Sequence, residues 1–407
     1  METVRLFFLL TLWGMAFCFG TEDYPFAGLP RLFISTEKSV PVMDRENEIE
    51  GMLEIQEDSA VGPKDARAIT IRCRGNSSFK DMPKHSFRLH SKKAFSLLGL
   101  PAHKNWVLVT NYADRSLVRN KVTYALASAL GAKGSPMTLD VELFINGSYE
   151  GVYLLTETPK DVARRTGLDE TDYLVEIDAK YHPDDIVFFD RAKRPFNVKS
   201  PKSATPEQVA KIQRQVDEFE KFLSGAYPDA DGVGKLSRWI DLEGYLRYYW
   251  IHEFSKNPDI FLTSTYFTWK EGEPFYMGPV WDFDVAYGIF PKETTYRGWL
   301  ARGNGWNRAL FKNPAFREAA WDYWKRYRAV FESVLDSVGV FAERLAPAAE
   351  NNYRRWPILQ DTQNRFHSGR FKNYGEAVLS LKRWIRFRLN WIDEMQKSAL
   401  LCSSCAP

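Results

Sequence analysis

The dipeptide Asn146-Gly147 constrains the folding of this chain more than any other pair of residues. It stands between two strand-like runs, residues 141–145 and 149–155, and a two-residue loop needs positive φ at both positions, which Asn and Gly tolerate best. A β-hairpin is predicted here. Two earlier runs alternate with period 2. In residues 68–74, Ile69, Ile71 and Cys73 point one way while Thr70, Arg72 and Arg74 point the other; in residues 84–90, Phe87 and Leu89 oppose Lys84, Ser86, Arg88 and His90. If these strands pair across the turn-like Gly75-Asn76-Ser77-Ser78, their polar faces build one wall carrying Arg72, Arg74, Lys84 and Arg88. A solvated strand face is the ordinary alternative for such a row of charges. Another strand, residues 106–110, leads to Asp114, which is placed to cap a helix starting near Arg115.

Beyond Pro159 the periodicity changes. Thr205-Pro206-Glu207-Gln208 is a capping box with Pro at the first helical position, and Val209, Ile212, Val216, Phe219 and Leu223 follow at helical spacing to Gly225. Further helices are predicted over residues 241–254, 313–345 and 374–397, and a short hairpin over 266–269 and 275–280. The expected organisation is a signal peptide (1–20), a β-rich N-terminal lobe (21–160), a mostly helical C-terminal lobe (161–398) and a tail (399–407). A cleft between two lobes is the default place for a ligand.

The 407 residues suffice for a substantial core, and 44% hydrophobic with 15% aromatic content marks a folded chain rather than a disordered one. A net charge of +3 is too small to argue for nucleic acid or an anionic membrane as partner. Arg5 and the apolar run 6–17 read as an export signal with cleavage after Gly20, so the protein is expected in the periplasm, at the cell surface or secreted. Lipidation at Cys18 is the alternative, disfavoured by the bulky Phe17. That run is too short to span a membrane, and no later segment is long and uncharged enough. Cys402 and Cys405 suit a local disulfide or an inert tail better than zinc, which needs two more ligands. Cys73 reads as a small buried side chain.

The chemistry lies late in the chain. In Gly278-Pro279-Val280-Trp281-Asp282-Phe283-Asp284, two carboxylates one residue apart follow an apolar run, an arrangement that supplies hard oxygen ligands for Mg²⁺ or Mn²⁺ with a phosphorylated ligand. A surface turn or cap is the bland counterpart. Asp259, in Asn257-Pro258-Asp259, is a second acidic candidate. The dehalogenase-type phosphatase motif is superficially similar, but there the motif sits on the first strand of a parallel fold; a glycosyltransferase would need a nucleotide-sugar domain that is not visible.

Several ordered stretches together resemble the CotH kinase family of spore-coat-protein-H-like atypical kinases: Ile71-Arg72-Cys73-Arg74-Gly75-Asn76-Ser77-Ser78 with Pro83-Lys84; Asn111 to Asn120; the Asn146-Gly147 hairpin leading to Glu157; and Gly278 to Asp284. The resemblance implies an α+β, atypical protein-kinase-like two-lobed fold, and transfer of a phosphoryl group from ATP to a Ser or Thr hydroxyl of a protein, with Mg²⁺ or Mn²⁺. It implies Asp282 as metal ligand and Asp259 as catalytic acid/base. Asn257 would orient or ligate, and Asp284 would be a second metal ligand or a structural acceptor. Arg72, Arg74, Lys84 and Arg88 would face the phosphates. Glu157 would pair with a lysine or simply end its strand, and Arg119 reads as a surface or salt-bridge residue in preference to a phosphate ligand. The sequence departs from the family where a lysine is usual: His90 stands there, and a neutral imidazole offers one N–H and no fixed charge. A non-catalytic pseudokinase or surface interaction protein of the same fold is the alternative function.

Overall fold

The computed structural model describes residues 23–401 except 226, 228–233, 293 and 368. The export signal, Cys18, Cys402 and Cys405 lie outside the described residues. The chain forms two compact units. The first comprises the described residues up to Arg115 with Met137–Glu157 and Ala342–Tyr374; the second comprises Ser116–Pro136, Thr158–Phe341 and the residues from Gly375 onward.

In the first unit, seven strands close into a barrel: β1 (Arg31–Thr36), β2 (Ile49–Gln56), β3 (Lys64–Arg74), β4 (Ser86–Phe95), β5 (His103–Val109), β6 (Thr138–Ile145) and β7 (Ser148–Thr156), in the order β1-β2-β3-β4-β5-β7-β6. This overturns the expected two-lobed kinase-like architecture with its β-rich N-terminal lobe. Closure comes from the parallel pairing of β1 with β6, Arg31 to Glu142 through Ile34 to Ile145, which joins segments too far apart for local alternation to reveal. Arg31 Nε donates to Glu142 at 3.0 Å across that seam, and both side chains are buried. The β6–β7 turn also serves it: Asn146 and Gly147 sit at φ 51° and 82°, and the Thr36 N–H donates to Asn146 Oδ1 at 2.9 Å.

Period-2 alternation sends Ile69, Ile71 and Cys73 of β3, Phe87 and Leu89 of β4, and Trp106 and Leu108 of β5 into one buried core. Each fully buried side chain of this size contributes about 1.5–3 kcal/mol relative to exposure. Asp114 does not cap a helix at Arg115. Leu117 adopts φ 60°, a left-handed conformation that breaks a right-handed helix, so the helix begins two residues later as Arg119–Ala129.

The second unit holds another sheet, of which the sequence announces only the hairpin expected over 266–269 and 275–280. Its strands are β8 (Tyr173–Ile177), β9 (Val187–Phe189), β10 (Pro195–Ser200), β11 (Thr265–Trp269) and β12 (Tyr276–Met277), ordered β12-β11-β8-β10-β9. The expected hairpin is β11 paired with β12. Helices Pro206–Ser224 and Leu242–Ser255 follow their expected spans, the former with its capping box formed between Thr205 and Gln208. The helical pattern at 313–345 divides into Pro314–Glu332 and Val334–Arg355, and the last helix is Tyr374–Leu401. Among the described residues no helix is long and apolar enough to cross a membrane.

Candidate active site

The acidic candidates meet in the second unit because two chain reversals are stitched together. Helix Leu242–Ser255 stops at Lys256, which takes the left-handed conformation at φ 46° and turns the chain toward Asn257. The amide of Asn257 is fully buried and used at both ends: Nδ2 donates to the Asp282 carbonyl at 3.0 Å, and Oδ1 accepts from the Asp259 N–H at 3.1 Å. One side chain thus holds both candidate acids in register. Asp282 itself has φ 65°, and Phe261 and Ser264 also lie in the left-handed region. Such departures by non-glycine residues cluster where surrounding structure over-determines the backbone.

Here the surrounding structure can be named. The Asp282 N–H donates to Tyr124 Oη at 3.3 Å and the Phe283 N–H to Asn120 Oδ1 at 2.7 Å, both acceptors lying on helix Arg119–Ala129. Arg119, buried rather than on the surface, donates from Nε to the Ala286 carbonyl at 3.1 Å and steadies the chain just beyond Asp284. Ser264 Oγ donates to Asp282 Oδ2 at 3.2 Å. Asp284 is buried two residues on, while Asp282 and Asp259 are half-buried.

Burial, reinforced by the facing Asp282 carboxylate and by Asp178 and opposed by Lys180, pushes the Asp259 carboxyl up to about 7. A carboxyl poised there exchanges a proton near neutrality, as a general acid or base must. Two half-buried carboxylates that repel each other are also a donor set whose chemistry fits a divalent cation. Among the described residues no three His, Cys, Asp or Glu side chains form a ready-made metal cluster. Mg²⁺ does not require one, since it binds through one or two carboxylates together with phosphate oxygens and water.

Asp178 and Glu176 escaped the sequence reading. They sit at and just beyond the end of β8, where charged residues interrupt an apolar run, Tyr173-Leu174-Val175-Glu176-Ile177-Asp178, and that interruption was the available signal. Burial pushes the Glu176 carboxyl up to about 7; Lys199, 3.2 Å away, and Tyr266 work against this and Asp178 with it. Its folded-state value therefore exceeds its unfolded value of about 4.3. The stability this group supports is complete below the unfolded value and is lost as pH rises toward 7. Glu176→Gln is accordingly expected to gain thermal stability over wild type progressively between pH 4.5 and 7 and to hold that gain above it. Melting curves across pH 4.5–8 check this, and an equal difference at every pH would refute it.

The remaining candidates belong to the first unit. Arg72 and Arg88 are cross-strand partners on β3 and β4, with Arg74 opposite Ser86. Arg72 donates to the Arg45 carbonyl and lies 3.6 Å from Glu48; Arg88 and His90 both bond Asn105 Oδ1, at 2.6 and 3.0 Å. Partial burial would raise the Glu48 carboxyl, but the Thr70 hydroxyl, Arg88, His90 and Arg72 outweigh it and hold the carboxyl below its ordinary value.

Lys84 does not join that face. It precedes β4, is buried, and donates to the Thr110 and Val152 carbonyls and Asn352 Oδ1 at 3.1, 2.6 and 2.9 Å, above the ring of Tyr153. Those acceptors engage all three protons of its ammonium group. Glu157, just past β7 and fully buried, bonds His103 Nε2 at 2.9 Å and accepts from the Met137 N–H at 2.8 Å.

A family model described as CotH kinase protein matches residues 71–392. Inner spore coat protein H of Bacillus subtilis (strain 168) is 28% identical over 227 residues, which is 54% of this chain and 59% of that protein's length.

Proposed function

We propose a reaction from one premise: this chain belongs to the CotH kinase protein family. It transfers the γ-phosphoryl group of ATP to a Ser or Thr hydroxyl of a protein acceptor. The observation that carries this reading is the pair Asp259 and Asp282, bridged by Asn257, with burial raising the Asp259 carboxyl above its ordinary range. Asp259 in its ionised form takes the proton of the acceptor hydroxyl as the new P–O bond forms and the bond to the ADP oxygen breaks. Asp282 would hold Mg²⁺ or Mn²⁺, with Asp284 as a further oxygen donor. The metal, when bound, supplies charge neutralisation at the phosphates. Asn257 keeps the two acids in register. Within the first unit, Arg72, Arg74 and Arg88 give one face of the barrel its cationic character, and Lys84 and Glu157 support that barrel.

A second reading has its own support. The relative's name assigns it to the spore coat, and His90 leaves the barrel face without a fixed charge at a position where the family usually has lysine. A non-catalytic surface protein of this family would bind nucleotide weakly and transfer nothing. Incubation of the purified protein with γ-labelled ATP and Mg²⁺ or Mn²⁺ separates the two, because transfer to itself or to a surface-protein extract requires the catalytic reading. Both readings place the protein outside the cytoplasm. An intact mass beginning near Thr21 is expected for the exported form, and a mass with diacylglycerol on Cys18 would replace free secretion by anchorage.

A further inference from the structure

Between Glu376 and Asp393 the last helix carries Lys382, Arg383, Arg386 and Arg388 and no acidic residue. Its two faces differ in burial: Ala377, Leu381, Ile385 and Leu389 are buried, while Leu379, Arg383, Arg386 and Phe387 are exposed. Steps of three and four residues put the exposed group on one outward ridge, about 12 Å long. Two large apolar side chains stand on it among the cations, Leu379 at 61% exposure and Phe387 at 43%.

An adjoining loop widens this ridge. Trp384 Nε1 donates to the Thr294 carbonyl at 2.9 Å, and Arg388 donates to the Tyr296 and Gly298 carbonyls at 2.8 and 2.7 Å, which lays residues 294–298 along the helix. The Tyr296 ring packs on Phe387 with centroids 5.1 Å apart, and the exposed Arg297 lies over Tyr296. Exposed cations elsewhere in the same unit have acidic partners: Lys211 has Glu271, Lys270 has Asp172 and Arg326 has Glu243. Among the described residues no carboxylate lies within ion-pairing distance of Arg297, Arg383 or Arg386. The net charge of +3 on the whole chain draws it to no anionic surface, but a local cluster without counter-charge does.

What covers this face must offer anions and apolar contact in one plane. A convex ridge gives a polypeptide no groove, and acidic side chains would satisfy the arginines while leaving Leu379 and Phe387 in water. An anionic bilayer surface supplies phosphate oxygens for the guanidinium groups and, just beneath them, hydrocarbon for the apolar tips.

We propose that the outward ridge of the last helix, with Tyr296 and Arg297 beside it, docks the protein onto an anionic lipid surface. The helix is not apolar enough to cross the bilayer, so it lies on it. This docking is independent of whether the chain transfers phosphate.

Sedimentation of the purified protein with vesicles of phosphatidylcholine, alone or mixed with phosphatidylglycerol, tests this. Wild type is expected to bind the mixed vesicles at least about tenfold more tightly than phosphatidylcholine alone, and to lose that preference as salt is raised toward about 0.5 M. Arg383→Gln with Arg386→Gln should weaken binding about 25-fold, or about fivefold per cation, and Leu379→Ala with Phe387→Ala about tenfold. All four positions are exposed, so melting temperatures close to wild type are expected and verify that the variants fold. Equal binding to the two lipids, or double variants that bind as wild type does, overturn the proposal. Loss in the arginine variant alone, with soluble polyglutamate bound as tightly as vesicles, assigns the face to an acidic polypeptide and overturns it too.

Discussion

Asp259→Asn is expected to lower phosphoryl-transfer turnover by about 10²–10⁴-fold, the range for a positioned general base, with affinity for Mn²⁺·ATP within about twofold of wild type. Asp282→Asn is expected to lose metal-dependent nucleotide affinity as well as turnover. The contrast follows from where each carboxylate acts. A base that accepts the acceptor's proton matters in the transfer step, whereas a metal ligand supports the ground-state complex too. Neither substitution changes side-chain volume appreciably, and the backbone bonds from Asn257, Tyr124 and Asn120 that place the two residues survive both. Asp259→Asn also removes a half-buried carboxyl whose charged form is disfavoured, so the variant should fold. Titration calorimetry with single-turnover transfer separates the outcomes: an undiminished rate in Asp259→Asn would falsify its role as base, and unchanged affinity in Asp282→Asn would make that residue structural.

What could be read before the structure was local, and what could not was remote pairing. Alternation in β3 and β4 and the Asn146-Gly147 turn each depend on neighbours in sequence, and the two strands do pair, with Arg72 opposite Arg88. The same alternation misplaced Lys84, because the strand begins only at Ser86 and period-2 reasoning has no force outside it. Barrel closure joins Arg31 to Glu142, and nothing within either segment signals the partner. Expecting a two-lobed kinase-like architecture was a step from family to fold that the closed barrel contradicts.

The site divides along the same line. Asp282 and Asp259 stood out as short acidic motifs, but the value near 7 at Asp259 arises from burial and from carboxylates at positions 282 and 178. Asp178 enters through β8, whose pairing with β11 spans about ninety residues and aligns Thr265 with Ile177. The family resemblance marks Asn257 as an orienting or ligating group without saying what it would hold. Only the contact with the Asp282 carbonyl gives it a bridging task.

That bridge depends in turn on how firmly helix Leu242–Ser255 is anchored, and the anchor is the buried pair of Glu253 and Arg388. Both side chains are fully buried, with Arg388 donating to Glu253 Oε1 at 2.7 Å. Glu253 also accepts from the Leu300 and Arg302 N–H groups, each at 2.9 Å, so one carboxylate collects the helix, the segment beyond residue 298 and the last helix. Replacing such a pair wholesale with apolar residues is often tolerated, but removing one member strands the other charge in a medium that solvates it poorly. Arg388→Met would leave the Glu253 carboxylate without its cation and deprive the Tyr296 and Gly298 carbonyls of their donor. The expected cost is about 3–5 kcal/mol, or a fall in melting temperature on the order of 10 °C for a unit of this size. Glu253→Gln combined with Arg388→Met should recover part of the loss, because no uncompensated charge then remains. Thermal and urea unfolding of the single and double variants decide it; a single variant as stable as wild type, or a double variant no better than the single, would show that the charge pair does not anchor the helix leading to Asn257.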